Sequence, residues 1–189
     1  MAESSNKTTS NLRQPNRFIT DHNDEGLAIF NTSIPEPIPA QVINNGDAFY
    51  LGYTTSSTPA DFTKNADVDA YAKHLADPPG IVVPGGSVLR MVDLRPGGES
   101  PMHRTVSIDY GVVLEGEIEL VLDSGEVRVM KRGDVSIQRG TNHLWKNRSK
   151  TEWARMLYVL QEAKPILIGG KKLGEDYGSG MAGVKPSGN

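Results

Sequence analysis

From residue 86 to residue 160, short apolar runs alternate with glycine-bearing turns, and this pattern restricts the segment to an antiparallel β-architecture. Residues 87–94, 102–114, 117–122, 127–131, 135–138, 143–147 and 155–160 read as strands. Between them stand Pro96-Gly97-Gly98, Glu115-Gly116, Asp123-Ser124-Gly125, Arg132-Gly133-Asp134 and Arg139-Gly140-Thr141. These residue types reverse a chain tightly, because glycine reaches positive φ without a steric cost and Asp and Asn bond their own backbone. Strands of this length at this spacing predict an all-β sandwich or barrel.

Upstream the pattern is less regular. Phe18-Ile19 and Leu27-Ala28-Ile29-Phe30 flank a polar turn and read as a hairpin. Ile34-Pro35-Glu36-Pro37-Ile38-Pro39 must stay extended and outside a central strand, since each proline lacks an N–H for the ladder. Residues 48–53 read as a further strand. One helix is predicted over residues 66–76: Asn65 is placed as its N-cap, Asp67 and Asp69 lie in the first turn, and Lys73 and His74 lie in the last. Val68, Tyr71 and Leu75 share its apolar face. The organisation that follows is a disordered leader over residues 1–16, then N-terminal strands, an extended arm and a helix over 17–85. A barrel core over 86–168 and a flexible tail over 169–189 complete it.

Composition removes several functional classes. A net charge of −3 gives no basic footprint for nucleic acid. No cysteine is present, so disulfides, thiolate metal sites and cysteine nucleophiles are excluded. No apolar run has the length of a membrane helix, and the polar first residues carry no signal-peptide core, so a cytoplasmic location is expected.

The chemistry-bearing residues sit in the strand-rich half. His103, Thr105 and Asp109 are separated by even numbers, so an unbroken strand presents them on one side. His143 lies on a later strand that a barrel folds across from the first, and Trp145 shares its parity. Two imidazoles and a carboxylate converging inside a barrel can hold a divalent metal with open positions, or move protons directly. Ser107 shares the face of His103 and is a candidate for substrate contact, as is Arg139 at a strand end. Arg90 alternates with Val88 and Val92, and a charge on a buried face needs a partner, so it is a candidate anion clamp. Tyr110 falls on the opposite face. His74 is explained by the helix dipole, and His22 reaches the site only if the N-terminal arm covers the barrel mouth.

Gly97, His103, Asp109 and Gly116 fall at the spacing of the first conserved motif of the cupin superfamily, and Gly125, Gly133, His143 and Asn147 can be laid on the second. The second match has a longer gap before the histidine and Lys131 where proline is usual. More narrowly, His103-Arg104-Thr105 with Ser107 and Asp109-Tyr110, and Gln138-Arg139-Gly140-Thr141-Asn142-His143 with Trp145, resemble small fungal cupins of polyketide and other secondary-metabolite pathways. The resemblance implies a single cupin barrel (a double-stranded β-helix or jelly roll) that dimerises through edge strands. It implies a tailoring enzyme acting on a small oxygenated carbonyl or aromatic substrate by dehydration, decarboxylation or isomerisation. A metal-dependent oxidoreductase with a His-His-Asp site is one alternative, and a non-catalytic binding cupin is another. His103, Asp109 and His143 would be the ligands of Fe, Zn, Mn or Ni. The family usually has a second histidine where Thr105 stands and a glutamate where Asp109 stands, so a metal-free site is equally compatible.

Overall fold

A computed structural model describes residues 10–43, 46–178, 181 and 184–187. Thirteen strands and one α-helix are found among them. In chain order they are β1 (Ile19–His22), β2 (Ala28–Asn31), β3 (Ala40–Val42), β4 (Ala48–Thr55), α1 (Ala66–Ala76), β5 (Ser87–Leu94), β6 (Ser107–Glu115) and β7 (Glu117–Leu122). Then come β8 (Val127–Lys131), β9 (Val135–Arg139), β10 (His143–Asn147), β11 (Ala154–Glu162), β12 (Ile166–Ile168) and β13 (Lys171–Leu173). The fold is mostly β, as the turn pattern predicts.

A six-stranded antiparallel sheet runs β3-β4-β5-β11-β6-β9 and faces a three-stranded sheet β10-β7-β8. The expected barrel is therefore built from two opposed sheets, and neither closes on itself. The core lies between them. Val88, Leu94, Val113, Met156 and Leu160 from the large sheet meet Ile118, Met130 and Trp145 from the small one. Burial alternates residue by residue along β4 and β10, which is what a strand with one face in the core requires. The hairpins β1-β2 and β12-β13 stand apart from both sheets.

Two glycines fix the geometry near the site. Gly116 has φ +81° in the turn between β6 and β7, and an added Cβ would lie 2.8 Å from the Ala154 Cβ. Gly111 on β6 pairs with Tyr158 on β11 and Ser136 on β9. An added Cβ there would meet Ser136 Oγ at 2.6 Å and the Tyr158 ring at 3.1 Å, so the missing side chain leaves room for both groups.

The strand reaching back to residue 102 is shorter than expected. β6 begins at Ser107, and His103 joins β10 through an isolated antiparallel bridge to His143. The helix has the predicted bounds, but Asn65 is not its side-chain cap: the residue is left-handed at φ 60° and its side chain makes no capping bond. A turn of 3-10 helix at Thr63–Asn65 feeds the helix instead. Tyr71 of α1 is buried, donates its hydroxyl to Leu51 O at 2.7 Å and accepts from Arg17 Nη1 at 2.6 Å.

Of the presumed leader, residues 1–9 lie outside the described residues. Ser10 Oγ donates to Asp93 Oδ2 at 2.7 Å, and the backbone carbonyl of Arg13 accepts from Arg155 Nη1 at 2.7 Å. The segment read as a tail contributes β13, which pairs with β12 from the end of the expected barrel core, and its later described residues reach Arg104 and Val82. Arg104 and Asp176 exchange backbone hydrogen bonds, and the Tyr177 hydroxyl lies 2.9 Å from Ser187 Oγ, which in turn accepts the Val82 N–H at 3.1 Å.

Candidate functional site

A cavity opens between the sheets, lined by His103, Thr105, Asp109 and His143 together with Arg90, Trp145 and Tyr158. The rest of the wall is largely apolar, with Phe49, Val92 and Leu160 among its residues. Met181 and Val184 of the C-terminal segment also line it. All four polar residues expected at the heart of the site are buried.

His103 and His143 form the centre. Their backbones exchange two N–H···O bonds of 2.9 Å, and their rings stand with centroids 4.4 Å apart. Nδ1 of His103 lies 2.8 Å from Pro101 O, and Nδ1 of His143 lies 2.9 Å from Thr141 O. A carbonyl only accepts, so each Nδ1 carries the proton. Burial lowers both pKa values, that of His143 to about 3 with the neighbouring His103 adding to the effect. Both rings are thus neutral near pH 7, and each keeps its Nε2 lone pair.

Asp109 answers to its own neighbours. The Ser107 hydroxyl donates to Oδ1 at 2.6 Å and the Thr105 hydroxyl to Oδ2 at 3.3 Å. Burial raises its pKa to about 6, with those two hydrogen bonds opposing the shift. Ser107 therefore positions the carboxylate instead of lining the cavity. The ion pairs that would make Asp109 structural, to Arg104 or Arg90, are not found among the described residues: Arg104 Nε donates to Gly174 O at 2.8 Å.

The donor set suits a two-histidine site better than a three-ligand one. Nδ1–H bonded to a backbone carbonyl is the arrangement that orients a metal-binding imidazole. Yet no three His, Cys, Asp or Glu side chains among the described residues converge closely enough to hold a metal ion. Asp109 is committed to two hydroxyls, and Thr105 stands where a further imidazole would be needed. His103, Asp109 and His143 share one cavity without forming such a cluster.

Trp145 is buried against the edge of His143, with ring centroids 5.3 Å apart, and Tyr158 follows at 5.5 Å. Arg139 is a correction: it is exposed and lines a separate cleft with Ile108 and Lys164, because the odd positions of β9 face outward. Tyr110 faces outward as parity requires. His22 is exposed on β1, and His74 Nδ1 is engaged 2.8 Å from Thr54 Oγ1. Sequence reasoning missed Tyr158, Asp47 and the C-terminal Met181 and Val184. Tyr158 carried a signal, since it alternates with Met156 and Leu160 in a strand. The Gly- and Lys-rich context of Met181 offered none.

The fold and this site define a cupin. The family model for the Cupin domain matches residues 90–160. Phomopsin biosynthesis cluster protein D of Diaporthe leptostromiformis is 62% identical over 189 residues, covering 100% of both chains. Oryzines biosynthesis cluster protein J of Aspergillus oryzae is 51% identical over 165 residues, 87% of this chain and 92% of that one. The cupin-domain-containing oxidoreductase srdB of Neurospora crassa is 41% identical over 167 residues, 88% and 83% of the two chains. The chain belongs to the cupin superfamily and, within it, to the small cupins of fungal secondary-metabolite clusters.

Proposed function

We propose that this cupin is a tailoring enzyme that moves protons on a small carbonyl-bearing or aromatic substrate, by elimination or isomerisation. The observation that carries the reading is the tautomer lock on His103 and His143, which sets two Nε2 lone pairs on the wall of the cavity that also holds Asp109. A carboxylate with a pKa of about 6 is mostly ionised near pH 7 and still basic enough to take a proton from carbon next to a carbonyl. Tyr158, whose pKa burial holds well above 10.0, stays protonated and supplies a hydroxyl donor for the oxygen that gains charge. In an elimination, the proton that Asp109 takes from carbon is relayed by the imidazoles to the departing hydroxyl, which leaves as water; in an isomerisation it is returned to a different carbon. Two rings this close accept only one proton between them, which suits a relay. Water, carbon dioxide or the rearranged product then leaves the apolar cavity.

The test is product formation in a reconstituted pathway with His103→Ala, His143→Ala and Asp109→Asn chains. Loss in all three supports proton transfer. Turnover that survives both histidine changes sinks the reading.

A second reading, oxidation, is favoured by relatives named as cupin-domain-containing oxidoreductases, such as srdB. It requires a redox group and an oxidant, and it predicts oxygen or cofactor consumption matched to product. The first reading predicts none. In either case we place the protein in the cytoplasm as a homodimer.

A further inference from the structure

Arg90 lies on β5 in register with Tyr158 of β11, inside the cavity that holds the two histidines. It is 6% exposed. Its Nη2 donates to Gly80 O at 3.0 Å, and its guanidinium stacks over Phe49 at 5.1 Å from the ring centroid. Nη1 is buried and has no hydrogen-bond partner among the described residues. Burial lowers its pKa only to about 10, so the group stays charged near pH 7. The same sheet shows what a structural buried arginine looks like in this protein. Arg155 is gripped by both Asp93 oxygens, at 2.5 Å and 2.7 Å. Among the described residues Arg90 has no such carboxylate. An unpaired buried charge is costly, and a fold that retains one at a cavity wall leaves room for an anion to complete it.

We propose that Arg90 is the anion clamp of the cavity and that the substrate is a small, mostly apolar carboxylic acid whose carboxylate Arg90 holds. The proposal rests on the reading of this cavity as the substrate site. A monoanion fits better than a phosphate. Among the described residues lining the cavity Arg90 is the only Lys or Arg, and Asp47 and Asp109 on the same wall would repel a second negative charge. The apolar remainder, from Phe49 to Leu160, takes an alkyl or aryl body. The clamp would hold one end of that body and leave the other for the histidines.

The probes are hydrocinnamate and its neutral amide, titrated calorimetrically into the full chain. The wild type is expected to bind the carboxylate at least about tenfold more tightly than the amide, the worth of a charge-assisted hydrogen bond. Arg90→Met should abolish that preference while leaving the unliganded melting temperature unchanged or raised, because an apolar isostere removes the desolvated charge. Equal binding of the two probes by the wild type, no binding of the carboxylate, or a preference that persists in Arg90→Met would overturn the clamp. The wild-type comparison needs no variant, so a chain that fails to fold does not shield the proposal. His143→Ala separates the two readings. If it keeps the carboxylate preference but pathway turnover also survives the histidine changes, the clamp stands and the proton-transfer chemistry falls.

Discussion

His103 and His143 face each other across a reciprocal backbone bridge, and each ring donates Nδ1–H to a carbonyl two residues earlier in its own chain, Pro101 and Thr141. The symmetry fixes both tautomers by local backbone alone. It also brings two buried bases to ring contact, which holds both neutral.

Under the proposed proton transfer, Asp109 sets the pH dependence of turnover. Its pKa of about 6 means that activity should fall as the pH drops through about 6, as the carboxylate takes up the proton it needs to accept from substrate. Asp109→Asn should lose on the order of a hundredfold in turnover and erase that limb, with the fold intact by circular dichroism. A profile flat from about pH 5 to about pH 8 in the wild type would show that Asp109 is not the base.

Acid should weaken the fold, and His143 should be a main cause. In the window from 6.5 down to about 3 the unfolded chain binds a proton at this residue and the folded chain does not, so stability falls as pH falls. His103 acts in the same direction. Asp109 opposes them between about 6 and 3.8, where the folded chain holds a proton that the unfolded chain has lost. Two groups against one leaves a net loss. The urea midpoint should therefore be lower at about pH 4.5 than near neutrality, and His143→Gln should shrink the difference. An unchanged midpoint in wild type would contradict the burial of the imidazoles.

Much of this was legible in the sequence, and the reasons are local. Period-two alternation and glycine turns placed β5, β7, β8 and β10 with their observed bounds. Parity put Asp109 and His143 inward and Tyr110 outward. What parity does not reveal is which buried polar group meets which. The Ser107 and Thr105 hydroxyls that engage Asp109 are tertiary facts about a short stretch that leaves the strand before residue 107. Arg139 stands at a strand end, but it shares the parity of Val135 and Ile137, and that face of β9 is exposed. Asn65 has the right residue type for a cap but sits in a left-handed conformation that turns its side chain away from that role.

Gly111 should be intolerant of any side chain. Gly111→Ala drives a Cβ to 2.6 Å from Ser136 Oγ and 3.1 Å from the Tyr158 ring, and should cost about 1–3 kcal/mol by chemical denaturation. Adding Ser136→Ala should recover part of it, since the closest clash disappears. A Gly111→Ala chain as stable as wild type would show that β6 shifts freely, and the site with it.

The hairpin β1-β2 displays Phe18, Leu27 and Phe30 to solvent, each more than 60% exposed. We expect this surface to be covered by a second copy in solution, as the exchange of edge strands among cupins suggests. Sedimentation at micromolar concentration should give a dimer that Phe18→Ser with Phe30→Ser dissociates. A monomeric wild type would refute it.

The central claim is that one buried carboxylate and two neutral imidazoles share this cavity, poised to move a proton. It is tested most directly by carbon-13 and nitrogen-15 NMR titration of Asp109, His103 and His143 in the full chain without substrate. Asp109 is expected to show a carboxyl transition at about 6, Nε2 of His143 to stay unprotonated until about 3, and His103 to titrate below its ordinary value. An Asp109 transition near 3.8 together with histidines titrating near 6.5 would contradict it.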